Sequence, residues 1–232
     1  MFLSPQRAVA LLLELSPNQS AVMMLRQNIL RSGLALALLA IQASGGALAA
    51  DPPDRSAAQL MDVVMWNREP VGGPFLLTDY SGKVRRDTDF RGKLMLVYFG
   101  YTTCPDICPT DLLQIGLAMK QLGSDAAGVA PIFITLDPER DTRKLLGHYV
   151  PAFHSQIVGL TGNSEAIRKA ALAYKVYYKK VPIGGWLRYT IDHSAFIYLM
   201  GRDGKYIGFL PPSTSAERIV EMIRPHLLTT SR

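Results

Sequence analysis

The residues with the most evident chemical potential are the two cysteines of the chain, Cys104 and Cys108. They lie between the apolar run 94–99 and a segment with helical periodicity that starts at Pro109. A four-residue separation puts two thiols on one side of a helical turn, so both can face one ion. A helix N-terminus also lowers thiol pKa values and favours the thiolate, which binds metals and attacks disulfides.

A structural role for this cysteine pair is the weaker interpretation. A disulfide between Cys104 and Cys108 would close a very short loop and constrain little of the unfolded chain. Thiolates are soft ligands that select copper(I) or zinc, and imidazole suits either ion. A structural zinc site normally has four protein ligands, yet the chain has no further cysteine and only four histidines.

The four histidines differ in their surroundings. His148 and His154 flank a predicted helix end, and His226 lies near the polar side of the last predicted helix, so a structural or surface role suits all three. His193 precedes a strongly apolar strand, where a loop could bring its ring to the edge of the cysteine site. A histidine at a strand start is by itself more often a structural residue than a ligand.

The elements around these residues predict an α/β domain. The periodicity predicts a β-hairpin over 75–84, further strands at 94–99, 132–136, 157–160, 176–178, 194–200 and 206–210, and helices from 109, 141, 164 and 216 onwards. This order predicts a central mixed β-sheet flanked by helices, with an N-terminal β-hairpin, in a thioredoxin-like fold. Asp141 is predicted to cap the second helix, and Asp137 with Pro138 to shape the loop before it.

The N-terminal part is predicted to be an export segment. Residues 1–22 are a doubtful extension, since translation that starts at Met23 or Met24 would give a regular leader. Residues 23–50 combine a basic start, a short apolar core and small residues for cleavage, so they predict a signal peptide or a membrane anchor. Residues 51–70 are predicted to be a linker, and 71–229 the folded domain.

Charge and composition argue against a nucleic-acid-binding protein and against a methionine copper cluster. The chain has 25 basic and 19 acidic residues, and after position 50 the formal net charge is +4, with the two signs interspersed. No basic block predicts nucleic-acid binding. The six methionines after position 50 are scattered singly, which indicates packing rather than a methionine copper cluster.

Several separated sequence blocks together resemble the Sco/SenC family of copper proteins across residues 71–228. These blocks are Thr-Cys-Pro-Asp-Ile-Cys-Pro at 103–109, Leu-Asp-Pro-Glu-Arg-Asp-Thr at 136–142, Val-Tyr-Tyr at 176–178, Asp-His-Ser at 192–194 and Gly-Arg-Asp-Gly at 201–204. The resemblance implies a thioredoxin-like fold in which Cys104, Cys108 and His193 bind one copper ion, as Cu(I) or Cu(II). It also implies a role in assembling the copper site of cytochrome c oxidase.

The resemblance further implies a set of partners. These are an oxidase subunit that receives copper and an upstream copper donor. A thioredoxin-like reductant is also expected, because both cysteines can oxidise to a disulfide in an exported compartment and copper loading then requires their reduction. Asp106 and Asp192 could orient the ligands through hydrogen bonds, although local capping explains both aspartates equally well. The leader predicts an exported, periplasmic protein, either free or held at the inner membrane by its N-terminal segment.

A thiol-disulfide oxidoreductase is the alternative function. One cysteine would attack a disulfide of an exported partner, and the other would resolve the mixed intermediate. Reductases that resemble thioredoxin use a CxxC motif, whereas this chain has CxxxC. Peroxide-reducing relatives carry threonine three residues before the reactive cysteine, where this chain has Tyr101.

Overall fold

The computed structural model describes residues 55–66, 68–185 and 188–227. The predictions made for segments 1–22 and 23–50 therefore lie outside the described residues. Within the described ranges, no helix combines the length and the apolar character needed to cross a bilayer.

The described chain contains five α-helices and nine strands. In chain order they are α1 (Ala57–Trp66), β1 (Leu76–Asp79), β2 (Val84–Arg86), β3 (Leu94–Gly100), α2 (Ile107–Leu122), β4 (Val129–Thr135), α3 (Arg143–Tyr149), β5 (Val158–Thr161), α4 (Ser164–Ala173), β6 (Tyr178–Pro182), β7 (Tyr189–His193), β8 (Ile197–Met200), β9 (Tyr206–Leu210) and α5 (Ala216–Leu227).

Seven of these strands form one mixed sheet in the order β2-β1-β5-β4-β3-β8-β9. Strands β3, β4 and β5 are parallel, and the strands on either side of them are antiparallel to their neighbours. All seven residues of β3 and all seven of β4 are buried, which explains why their sequences are apolar without alternation. This is the predicted thioredoxin-like α/β architecture, with helices flanking a central mixed sheet.

The sheet topology gathers three segments at one edge. Strands β3 and β4 run in parallel with Gly100 opposite Thr135, so the chain that follows each strand leaves from the same edge. Strand β8 is antiparallel to β3, with Ile197 opposite Tyr98, so the segment that enters β8 approaches the same edge. The first two segments carry the cysteines and Asp137, and the third carries His193.

The second sheet was not predicted from the sequence. Within the described ranges, strands β6 and β7 pair only with each other and form an antiparallel hairpin in which Tyr178 lies opposite His193. The sequence pattern predicts a strand at 176–178 and His193 at the start of an apolar strand. The structure instead places His193 at the end of β7, and the apolar strand β8 starts only at Ile197.

Two other predictions about local structure were wrong. The predicted linker 51–70 contains helix α1, which buries Leu60, Val63 and Val64 at the spacing of one helical face. Helix α3 is capped by Thr142, whose hydroxyl accepts a hydrogen bond from Leu145 N, and not by Asp141. Asp141 is fully buried and bonds to the cysteine loop.

Candidate metal centre

The two cysteines are brought together by a turn that ends at the start of α2. Cys104 lies before the helix, where its backbone N–H donates to the carbonyl of Tyr101 at 3.3 Å. Cys108 is the second residue of α2, and its backbone N–H points to Cys104 Sγ at 3.5 Å. The prediction that both thiols face one point is confirmed, although the turn and the first helical residues achieve it together.

Gly100 makes room for the sulfur of Cys108 at the end of β3. A Cβ atom at this position would lie 2.9 Å from Cys108 Sγ and 3.1 Å from the ring of Phe133. Cys108 is 0% exposed and Cys104 is 9% exposed, so the outer thiol of the pair is Cys104. The two cysteines are free thiols.

His193, which is distant from the cysteines in sequence, adds a third potential metal ligand to the pair. Its Nε2 lies 3.5 Å from Cys108 Sγ, and its Nδ1 lies 3.1 Å from the carbonyl oxygen of Ser194. Because a carbonyl only accepts hydrogen bonds, Nδ1 carries a proton, and Nε2 is the ring nitrogen that faces the sulfur. The donor atoms of Cys104, Cys108 and His193 all lie within 4.8 Å of one another, so they could hold one metal ion.

The electrostatics of the pair make the two thiols unequal. The hydrogen bond from Cys108 lowers the pKa of Cys104 against the opposing effect of burial, and His193 and the backbone N–H groups of Asp106 and Cys108 lower it further. The pKa of Cys108 is raised by the same hydrogen bond to Cys104 and, as the second cause, by burial. These opposite shifts favour the thiolate at the outer cysteine and the protonated thiol at the inner cysteine.

A buried carboxylate, missed as a site residue by the sequence analysis, holds the cysteine loop. Asp141 accepts hydrogen bonds from the backbone N–H and the hydroxyl of Thr102, at 3.0 and 2.5 Å, and from the hydroxyl of Thr135 at 2.5 Å. Burial raises its pKa against the effect of these donors. The sequence motif at 136–142, which contains Asp141, was the one feature that could have identified it as a site residue. An aspartate just before a helix is equally typical of a helix cap.

Tyr101 lies between the cysteine loop and the His193 hairpin. Its ring meets that of His193 edge-on, with the centroids 5.8 Å apart, and its hydroxyl is 2.7 Å from Thr190 Oγ1. In the sequence, Tyr101 is distinctive only as the departure from the peroxide-reducing pattern. In the structure it links β7 to the loop that follows β3.

The two aspartates that were predicted to orient the ligands do not do so through their side chains in this structure. Asp106 and Asp192 are exposed, and neither carboxylate makes a hydrogen bond or an ion pair within the described part of the chain. Asp106 acts through its backbone, because its N–H points to Cys104 and its carbonyl accepts from Thr110 N. Their role in orienting the ligands stays a prediction without a contact to support it.

The other three histidines stay apart from the cysteines. The group of metal-ligating atoms found in the described ranges includes only His193 among the histidines. His148 is exposed, and His154 Nδ1 instead accepts a hydrogen bond from the backbone of Gln156 at 3.3 Å.

Comparison with known proteins adds independent information. The SCO1/SenC family profile matches residues 64–228. The protein SCO2 homolog, mitochondrial, of Bos taurus is 42% identical over 157 residues, which cover 67% of this chain and 59% of the relative. The chain thus spans about three fifths of the length of such curated mammalian relatives.

Two solved structures with bound copper have the same fold. Bradyrhizobium japonicum ScoI with copper bound is 42% identical, with a TM-score of 0.63, and the match covers 67% of this chain and 99% of that one. Yeast Sco1 with copper bound is 35% identical, with a TM-score of 0.64, and the match covers 70% and 91%. Because the family profile extends over more than two thirds of the sequence and includes all three converging residues, the chain belongs to the SCO1/SenC family.

Proposed function

We propose that this protein is an exported copper metallochaperone that binds one copper ion through Cys104, Cys108 and His193. The observation that carries the proposal is the convergence of two sulfurs and one imidazole nitrogen within 4.8 Å of one another. Sulfur donors select soft cations, and copper(I) is the soft ion that accepts a set of only three ligands. The copper-bound relatives named above support the choice of metal.

The residues of the site prepare it to take up and release this cargo. Cys104 is already a thiolate, so it can capture the ion at the outer side of the site. Cys108 gives up its proton when the ion binds, and Nε2 of His193 faces the same point. Three protein ligands leave one side open for exchange, which suits an ion that is to be passed on.

The acceptor we propose is the copper-receiving subunit of cytochrome c oxidase, as the family resemblance implies. An upstream protein would supply the copper, and a thioredoxin-like reductant would keep the cysteines reduced outside the cytosol. We further propose that residues 23–50 direct export to the periplasm, either as a cleaved signal peptide or as an anchor at the inner membrane. The domain at 71–229 would bind and deliver copper there.

Thiol-disulfide exchange is the second function that an observation favours. The thiolate of Cys104 would attack a disulfide of the partner and form a mixed disulfide, releasing one partner thiolate. Cys108 would then lose its proton and attack the sulfur of Cys104, which releases the second partner thiolate and leaves a Cys104–Cys108 disulfide. The partner is reduced by two electrons, and this chain is oxidised by two.

Anaerobic titration of the reduced full chain with Cu(I), in competition with a chromophoric chelator, tests the proposal. We expect one tightly bound ion per chain. His193→Ala should abolish high-affinity binding, leaving only weak binding by the two thiols, and should leave the thiol exchange of Cys104 and Cys108 largely intact. The matched control is His148→Ala, which removes an exposed imidazole away from the site. Full-strength binding by His193→Ala would refute the ligand set, and no binding by the unmodified chain would leave the oxidoreductase as the better function.

A further inference from the structure

The hairpin that carries His193 has no strand partner in the main sheet. Among the described residues, β6 and β7 pair as strands only with each other, apart from the seven-stranded sheet. An isolated two-stranded hairpin is marginally stable in water. Contacts other than strand pairing must therefore fix the position of His193 relative to the cysteines.

Arg140 makes the most extensive of these contacts. Its Nη1 donates to the carbonyl oxygen of Tyr189 at 2.9 Å, and its guanidinium carbon lies 3.8 Å from the centroid of the Tyr189 ring. Its Nε donates to the carboxylate of Asp137, which also accepts from the Tyr189 hydroxyl at 2.7 Å. One guanidinium thus holds the first residue of β7 by its backbone and its ring at once.

Partial burial strengthens this contact. The side chain of Asp137 is 0% exposed, and that of Arg140 is 21% exposed. Ion pairs on open surfaces contribute little, but a planar guanidinium that forms several bonds next to a buried carboxylate is held in one geometry.

Two further contacts help to fix the position of the hairpin. Lys180 of β6 pairs with Glu139 at 2.6 Å and lies 4.6 Å from the centroid of the Tyr189 ring. Arg140 also lies 6.0 Å from the centroid of the Tyr101 ring, which meets His193 edge-on. The loop Asp137–Arg140 therefore contacts both strands of the hairpin. This loop starts at the same sheet edge as the cysteine loop.

We propose that Arg140 is a positioning residue that fixes the β6–β7 hairpin and thereby holds His193 Nε2 against the two sulfurs. This role rests on the proposed copper function. It differs from that of a ligand, because Arg140 acts on the ion only through the placement of the imidazole. Residues that orient metal ligands typically change metal affinity about 10–100-fold when they are replaced.

A double-mutant cycle on the full reduced chain tests this role. Arg140→Met keeps the aliphatic stem but removes the guanidinium, and we expect Cu(I) affinity to fall at least about tenfold. In the His193→Ala background, the same substitution should change the residual affinity less than about twofold, because no imidazole is left to position. The control is Arg218→Met, which removes an exposed guanidinium that pairs with Glu221 on α5.

A metal-free measurement separates this inference from the copper function. Amide hydrogen exchange of Tyr189–His193 should be faster in Arg140→Met than in the unmodified chain and in Arg218→Met. Arg140→Lys can keep the ion pair with Asp137 but not the bond to the Tyr189 carbonyl, so it should give intermediate exchange even if Arg140→Met folds poorly.

Three results would decide between positioning by Arg140 and its alternatives. Equal losses of affinity with and without His193 would show a general structural role and overturn the inference. Unchanged exchange in the hairpin of both Arg140 variants would overturn it as well. If the unmodified chain binds no Cu(I), the proposed function fails, and hydrogen exchange alone still decides whether Arg140 holds the hairpin.

Discussion

Cys108 Sγ and His193 Nε2 lie 3.5 Å apart although 85 residues separate them in the sequence. The sheet explains the contact, since β8 runs antiparallel to β3 and brings its entering segment to the edge where β3 ends. The site therefore exists only in the folded chain, and its affinity for a metal is coupled to the stability of the fold.

The unequal thiols predict an order of chemical modification. Iodoacetamide should alkylate Cys104 before Cys108, because Cys104 is more exposed and is the thiolate of the pair. A lowered pKa means that the thiolate persists as the pH falls, so the rate at Cys104 should stay nearly constant between pH 8 and about 6. A cysteine with an ordinary pKa of about 8.5 would slow about tenfold for each unit below it. Peptide mapping by mass spectrometry measures both the order and the rate.

The matched variant for this measurement is Cys108→Ala. It removes the hydrogen bond that is the largest cause of the lowered pKa of Cys104, so the alkylation rate should depend more steeply on pH than in the unmodified chain. Modification of Cys108 first, or a steep pH dependence in the unmodified chain, would contradict the assignment of the thiolate.

Gly100→Ala should destabilise the domain, because Gly100 packs directly against the sulfur of Cys108. The added methyl group would lie 2.9 Å from Cys108 Sγ and close to two buried rings, so the sulfur or the strand must shift. Overpacking of this kind typically costs about 1–3 kcal/mol in the free energy of unfolding, which urea denaturation measures. Gly184→Ala is the control, because nothing lies within 4 Å of its added carbon. Similar losses for both variants would mean that the close approach to Cys108 has no special cost.

Copper itself should stabilise the reduced chain. A ligand present at 100 times its dissociation constant adds about 2.7 kcal/mol to the free energy of unfolding when it binds only the native state. We expect this gain with Cu(I), its reversal by a strong Cu(I) chelator, and its absence in His193→Ala. Thermal unfolding in the presence and absence of the chelator measures the gain. An equal gain in His193→Ala would indicate that copper binds elsewhere.

The sequence predicts the cysteine half of the site better than the histidine half. Residues 94–100 are continuously apolar and are followed by a turn and a helix, so the strand, the loop and the helix could be placed from local pattern alone. The hairpin could not be placed in this way, because β6 carries exposed residues with no alternation and β7 is held largely by side chains from distant loops. The family resemblance identified His193, but no pattern in the sequence indicates that Arg140 and Tyr101 contact its strand.

Asp141 shows why the remaining part of the site could not be predicted. An aspartate just before a helix looks the same in sequence whether it caps that helix or accepts bonds from another loop. The choice depends on the parallel pairing of β3 with β4, which brings Thr102 and Thr135 to the same carboxylate. That information is tertiary, and the neighbouring Thr142 takes over the capping.

Asp141→Ala should therefore act on both the stability and the thiol chemistry of the domain. It leaves the buried N–H of Thr102 and two hydroxyl groups without their acceptor, and a buried unsatisfied donor typically costs about 1–3 kcal/mol. Thr102 is two residues from Cys104, so a looser loop should also weaken the hydrogen bonds that lower the pKa of Cys104 and slow its alkylation near pH 6. Asp125→Ala is the control, since Asp125 is exposed on a surface turn. Urea denaturation and alkylation kinetics of the two variants measure these effects, and a stability within about 0.5 kcal/mol of the control would show that Asp141 does not anchor the loop.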